Sequence, residues 1–131
     1  MPAPESDFVN HLLELLSPFD IDGGVRAKRM FGGHGIFRGD LMFGLVADGV
    51  LYLKCDAGNL AEFEAHDLQP FRYEKDDGRV FEMSYRQCPD EALERPEVMT
   101  QWATLAYEAA VRNKKPKKKR NFSKKKNPNK K

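Results

Sequence analysis

The sequence contains little cysteine and no long apolar run. Its 131 residues include two cysteines, Cys55 and Cys88, which are too few for a disulfide framework. No uninterrupted apolar stretch approaches the roughly 18 residues that a membrane span needs. Residues 1–7 lack the positive charge and the apolar core of a signal peptide. These absences predict a cytoplasmic protein with reduced thiols and no membrane span.

Acidic residues are missing from the C-terminal end of the chain. Residues 113–131 contain eleven of the 22 lysines and arginines and no aspartate or glutamate. The other eleven basic residues share residues 1–112 with all 20 acidic residues, so the net charges are −9 for that part and +11 for the end. The basic end is also nearly free of apolar residues and cannot offset the entropy of ordering. We therefore predict a folded domain over residues 1–112 and a disordered, lysine-rich segment, the basic tail, over residues 113–131.

Residues 25–55 carry the clearest pattern of β-structure. Short runs of apolar, β-favouring residues are separated at Gly32-Gly33, Arg38-Gly39-Asp40 and Asp48-Gly49, which are residue types typical of tight turns. The Asp48-Gly49 pair between two apolar runs is the strongest hairpin signal in the sequence. These runs predict a meandering antiparallel sheet.

A second hairpin and several helices complete the predicted fold. Helical spacing predicts helices over residues 7–16, 59–66 and 96–112 and a short turn over 89–93. Ser6 is the expected N-cap of the first helix, and Asn59 is expected to open the second with a capping box. The fold class is therefore α+β, an antiparallel meandering sheet of about six strands with three or four flanking helices. Alternation around Asp76-Asp77-Gly78 predicts the second hairpin, with a core face formed by Phe71, Tyr73, Phe81, Met83 and Tyr85.

The third helix carries the only tryptophan of the chain. Val98, Trp102, Leu105 and Ala109 fall on one side of a helix, which is typical of a stripe that packs against a core. Trp102 is therefore expected to be a core residue rather than a platform for stacking.

Three stretches of the chain carry a family resemblance. They are Arg26-Ala-Lys-Arg-Met-Phe-Gly-Gly-His-Gly-Ile-Phe, Leu41-Met-Phe-Gly-Leu-Val-Ala-Asp-Gly-Val-Leu-Tyr-Leu-Lys and Pro70-Phe-Arg-Tyr-Glu-Lys-Asp-Asp-Gly-Arg-Val, the last continuing through Met83-Ser-Tyr and Pro89-Asp-Glu-Ala-Leu. In matching order and over roughly residues 6–112, they resemble the N-terminal domain of the TfoX/Sxy competence regulators. The resemblance implies an antiparallel sheet with packed helices, no known enzymatic activity and a link to transcriptional control of DNA uptake in some bacteria. The full-length regulators have a second, C-terminal domain, in whose place this sequence has the basic tail.

The glycine-rich stretch over residues 32–35 and the basic residues before it form a candidate anion-binding or partner surface. Its residues are Arg26, Lys28, Arg29 and His34. No helix follows directly, as it does in a phosphate-binding loop, so a turn with a solvated charged face is favoured. His34 is expected on that turn, and no residue has a spacing that marks it as a catalytic partner. The histidines and cysteines lack the spacing of metal ligands. The sequence therefore predicts no catalytic residue, no metal, no cofactor and no enzymatic activity.

The basic tail is the feature whose composition points to a function. A lysine run of this density typically meets a polyanion, with nucleic acid first and an anionic membrane surface second. Lysine neutralises phosphates as a point charge and does not read base edges as paired arginine contacts do. Folding back onto the acidic domain and nuclear localisation stay open as further roles. The candidate nucleic-acid-binding residues are Lys114, Lys115, Lys117, Lys118, Lys119, Arg120, Lys124, Lys125, Lys126, Lys130 and Lys131.

The predicted function is that of a non-enzymatic regulatory protein, cytoplasmic or associated with the nucleoid, which binds nucleic acid through the basic tail without sequence preference. The alternative is a protein–protein interaction adaptor whose tail serves only solubility or self-association. An unidentified protein partner and a homodimer stay open.

Overall fold

A computed structural model of the chain describes residues 4–19, 24–30 and 32–114. The predicted disorder of the basic tail lies outside the described residues from residue 115 onward. Within the described part the fold is α+β, as the sequence predicts.

Six antiparallel strands form a single sheet. They are β1 Val25–Met30, β2 Gly33–Arg38, β3 Leu41–Ala47, β4 Val50–Lys54, β5 Pro70–Glu74 and β6 Val80–Gln87. Their order across the sheet is β1-β2-β3-β4-β6-β5, so β1 and β5 are its two edges. The predicted meander and the second hairpin are both confirmed.

The turn between β3 and β4 is the predicted Asp48-Gly49 hairpin. Asp48 has φ 52° and Gly49 has φ 76°, which is the left-handed pair that a two-residue turn needs to match the twist of the strands. Ala47 and Val50 pair directly across it. The Asp48-Gly49 pair therefore correctly predicts the register of this hairpin.

Three α-helices and two short 3-10 turns connect and cover the strands. The helices are α1 Pro4–Leu15, α2 Leu60–Ala65 and α3 Pro96–Arg112, and the 3-10 turns are Ser17–Phe19 and Asp90–Leu93. The prediction of Ser6 as an N-cap is wrong, because α1 already begins at Pro4. Proline suits the first helical position, since it has no N–H that would go unbonded there.

The hydrophobic core lies between one face of the sheet and the helices. Trp102 and Ala109 are buried as predicted, but Val98 and Leu105 are only half-buried. The helix instead turns a row of small side chains toward β3 and β4, so its backbone can approach the sheet closely. The fully buried side chains include Leu12, Leu16, Ile36, Phe43, Phe63, Met99, Ala103 and Ala106.

The predicted core face of the second hairpin is wrong. Phe71, Tyr73, Phe81, Met83 and Tyr85 do not belong to the hydrophobic core cluster, and of the five only Tyr85 is buried. Alternation correctly places them on a common face, but it does not say which face of the sheet the helices will cover. They lie on the other face, which we call the open face. It also carries Met30, Phe37, Leu45 and Tyr52.

Within the described ranges, no helix has both the length and the apolar character that crossing a membrane requires.

Candidate functional site

The four residues of the candidate anion surface are divided between the two faces of the sheet. The guanidinium of Arg26 lies 4.9 Å from the centroid of the Phe37 ring on the open face. Lys28 follows Arg26 at a spacing of two and shares that face, whereas Arg29 points to the opposite one. Arg29 pairs with His34 of β2. The structure therefore brings Arg26 and Lys28 together, and it separates them from Arg29 and His34.

The placement of His34 on a glycine-rich turn is wrong. Gly33, His34 and Gly35 belong to β2, and only Gly32 has the left-handed backbone of a turn, with φ 76°. His34 is half-buried and pairs with Arg29 on one side and Val46 on the other. Glycine here permits close packing: a Cβ at Gly33 would overlap the carbonyl oxygen of Val46 in β3.

Asp56 holds the C-terminal end of α3 in place. Its carboxylate accepts hydrogen bonds from Arg112 Nη2 at 2.7 Å and Arg112 Nε at 2.8 Å, and from Asn113 Nδ2 at 2.9 Å. These bonds, led by those from Arg112, hold the pKa of Asp56 at about 2, below its ordinary 3.8. The C-terminal end of α3 is therefore clamped beside the end of β4.

This clamp predicts a specific loss of stability in acid. Because the pKa of Asp56 is lowered in the folded state, its contribution is present above its ordinary pKa of 3.8 and is lost as the pH falls through about 2. Asp56→Asn should therefore lower the melting temperature at pH 7 and have much less effect at pH 2. Asp40→Asn, in the exposed turn between β2 and β3, is the matched control and should change neither value. An Asp56→Asn deficit that persists undiminished at pH 2 would contradict the ion-pair explanation.

Lys114 is the first of the predicted nucleic-acid-binding residues and the only one that the structure describes. It is exposed and follows the C-cap of α3, Asn113. The other ten basic residues of the tail lie outside the described residues. Asn113, the first residue of the basic tail, bonds to Asp56, which lies two residues after Lys54, the last residue of β4.

A continuous row of aromatic rings crosses the open face. Tyr52 and Phe71 have ring centroids 4.8 Å apart, Phe71 and Tyr73 6.3 Å, and Tyr73 and Phe81 5.7 Å. The last two pairs are close to parallel, with interplanar angles of 26° and 28°. Tyr73 is 42% exposed and Phe81 36%. The row therefore presents flat apolar surface to solvent.

Positively charged groups accompany these rings. The Lys75 ammonium lies 4.9 Å and the Arg79 guanidinium 5.4 Å from the centroid of Phe81, distances typical of cation–π contact. Lys54 lies 5.2 Å from the ring of Tyr85. Together with Arg26 and Lys28, they make the open face cationic on a domain whose net charge is negative.

The sheet curls so that its two edges share one apolar cavity on the open face. Met30 of β1 lines it together with Phe71 and Tyr73 of β5, although these strands are the opposite edges of the sheet. Its volume is about 270 Å³, which suits one flat ring better than an extended ligand. The remaining lining residues are Gly33, Leu45, Val46, Ala47 and Met83.

Both cysteines are buried and unpaired by disulfide. Burial raises the pKa of the Cys88 thiol to about 12 and also raises that of Cys55. Thiols in such surroundings stay protonated and unreactive. Among the described residues, no three His, Cys, Asp or Glu side chains come together in a group that could hold a metal.

Sequence reasoning assigned no function to the open face. The sequence signal for this face was the alternation of Phe71 with Tyr73 and of Phe81 with Met83. These residues were assigned to the core instead. Only the position of the helices makes it an exposed surface.

Comparison with known proteins places most of the described chain in one family. The family model described as TfoX N-terminal domain matches residues 14–110. No curated protein matches the chain.

Proposed function

Because the chain belongs to the TfoX N-terminal domain family, we propose that it is a non-enzymatic regulatory protein that associates with nucleic acid through its basic tail. The regulatory part rests on the family, since the resemblance to competence regulators links the domain to transcriptional control. The nucleic-acid part rests on the residues of this chain. The proposal places the protein in the cytoplasm, in contact with the nucleoid.

The segregation of charge carries the nucleic-acid part of the proposal. The tail has a net charge of +11, and residues 1–112 have −9. The acidic domain attracts the tail, but a nucleic-acid duplex carries about one negative charge per 1.7 Å of its length. The duplex is therefore the polyanion of higher charge density, and it competes with the domain for the tail. The clamp at Asp56 gives the tail a fixed point of departure beside β4.

The test is duplex binding as a function of salt, with a matched full-length variant in which the eleven basic residues of the tail are glutamine. If about six phosphates are contacted, log K should fall with log[salt] at a slope near −5, or about a thousandfold between 50 and 200 mM. Scrambling the duplex sequence should change little, since lysine on phosphate does not read bases. The glutamine variant should lose the affinity.

Two results would overturn the proposal. One is duplex affinity that does not change with salt, and the other is a glutamine variant that binds the duplex as tightly as the natural chain. In either case the tail does not hold the nucleic acid.

The second candidate function is a protein–protein interaction adaptor, which the exposed rings of Tyr73 and Phe81 favour. Apolar groups left uncovered on a small domain are a common feature of interaction surfaces. In this function the tail serves only solubility or self-association, and capture of a protein partner should survive in the glutamine variant.

A further inference from the structure

The open face combines two chemistries that seldom share one surface. Its aromatic row from Tyr52 to Phe81 is flat and apolar, and Tyr73 and Phe81 are the exposed members. The cations of Lys75 and Arg79 sit directly against Phe81. A ligand for this surface therefore needs flat rings and negative charge along the same molecule.

The strands that the structure describes carry no carboxylate on this face, and two carboxylates reach it from turns. Asp77 is paired with Arg79 at 2.7 Å, and burial together with the nearby charge of Asp48 raises the pKa of Tyr52. Among the described strands, the only carboxylates are Glu74 and Glu82, and both lie on the opposite face by alternation. Glu82 is paired there with Arg72 at 3.0 Å. Further carboxylates lie on the helices that cover that face, including Glu62 and Glu64 on α2 and Glu97 and Glu108 on α3. The open face is thus the cationic side of an acidic domain.

We propose that the open face binds single-stranded nucleic acid by stacking unpaired bases on Phe71, Tyr73 and Phe81. Unpaired bases expose their rings, and the phosphates between them meet Arg26, Lys28 and Lys75. Stacking on aromatic side chains with cations alongside is a general mode of single-strand recognition. The cavity of about 270 Å³ beside Phe71 and Tyr73, in the middle of the row, offers space for one further ring. A duplex cannot use this surface, because its bases are already stacked on one another.

The basic tail is excluded as the occupant by its own charge. Its lysines would be placed against Lys54, Lys75 and Arg79, and like charges repel. The tail begins at Asn113, which bonds to Asp56 two residues beyond Lys54, and Lys54 lies against Tyr85 on the open face. A strand long enough to reach from the face to the tail can contact both, which raises its affinity without new contacts at either one. Single-strand binding by the open face deepens the proposed function. It depends on that function only for the contribution of the tail.

The test compares an oligothymidylate of about 20 nucleotides with a duplex of equal length, using the full-length protein and anisotropy. Replacing both exposed rings (Tyr73→Ala with Phe81→Ala) should weaken single-strand binding by about tenfold or more and leave duplex binding unchanged. Val80→Ala is the matched control, because Val80 is 60% exposed and lies beside Phe81 on the opposite face. It should change neither affinity.

A leucine pair at the same positions separates stacking from plain apolar contact. Tyr73→Leu with Phe81→Leu keeps an apolar surface but removes the flat rings, so it should lose single-strand binding as the alanine pair does. The glutamine-tail variant should lose duplex binding but keep its preference for the single strand. The proposed function and this inference can therefore fail separately.

Three outcomes would overturn the inference. The alanine pair could weaken single-strand and duplex binding equally, or not at all. The leucine pair could retain full single-strand affinity, which would remove stacking as the cause. The alanine pair could instead abolish binding to phosphatidylserine vesicles while oligothymidylate binding stays intact, which would make the face a membrane-docking surface.

Discussion

Trp102→Ala should lower the free energy of unfolding by about 3–5 kcal/mol. Trp102 is 7% exposed and packs edge-on against Phe63 of α2, with ring centroids 5.1 Å apart, and against His66 at 5.2 Å. Truncation removes the buried ring and leaves a cavity between α2 and α3 that the backbone cannot close. For a domain of this size the loss corresponds to a fall in melting temperature of roughly 10 °C or more. Urea denaturation followed by circular dichroism measures it directly.

Val111→Ala supplies the control on the same helix. Val111 is 50% exposed, and a substitution at such a position should stay within about 0.5 kcal/mol. A Trp102→Ala variant as stable as this control would mean that Trp102 does not hold α2 to α3.

Asn59→Ala should cost roughly 2–4 kcal/mol, since each buried polar group left without a partner costs about 1–3 kcal/mol. Asn59 is 1% exposed. Its Oδ1 accepts the N–H of Asp56 at 2.8 Å, and its Nδ2 donates to the carbonyl oxygens of Lys54 at 3.1 Å and Leu105 at 3.0 Å. One side chain thus ties the end of β4 to the middle of α3. Chemical denaturation provides the measurement, and exposed Asn10→Ala on α1 is the matched control.

Asn59→Asp distinguishes this role from the capping box that the sequence suggests. Asp is as good an N-cap as Asn, so a capping residue would tolerate the change. In the structure the side chain of Asn59 makes no capping hydrogen bond, and Asp would turn a carboxylate oxygen toward two carbonyl oxygens. We expect Asn59→Asp to be at least as destabilising as Asn59→Ala. A neutral result would restore the capping interpretation.

Asn59 shows where local reasoning stops. The Asn-x-x-Glu pattern correctly located the start of α2, because helix starts are signalled by neighbouring residues. The partner that decides the role of the side chain, Leu105, lies 46 residues away. The same holds for Asp56 and Arg112, which are 56 residues apart and whose bidentate contact carries no sequence signal.

His34 illustrates a different limit. A run of Gly32, Gly33, His34 and Gly35 is rich in residues that turns favour, so a turn was the natural prediction. In the structure, Gly33 and Gly35 serve packing within a strand, where β2 approaches β3 and the methionines of the open face. Composition cannot distinguish glycine needed for backbone freedom from glycine needed for space, because both require only the absence of a Cβ.

The sequence by itself determined most of the elements, the hairpin at Asp48-Gly49 and the bounds of α3, since each depends on neighbours within a few residues. For the same reason it determined that Phe71, Tyr73, Phe81 and Met83 share one face. Only the tertiary structure decided that this face is exposed and cationic. An alternating strand presents two faces, and the helices can cover either one of them. The row of small residues on α3, Ala103, Ala106 and Ala110, packs against β3 and β4 on one side of the sheet. That packing leaves the aromatic side uncovered.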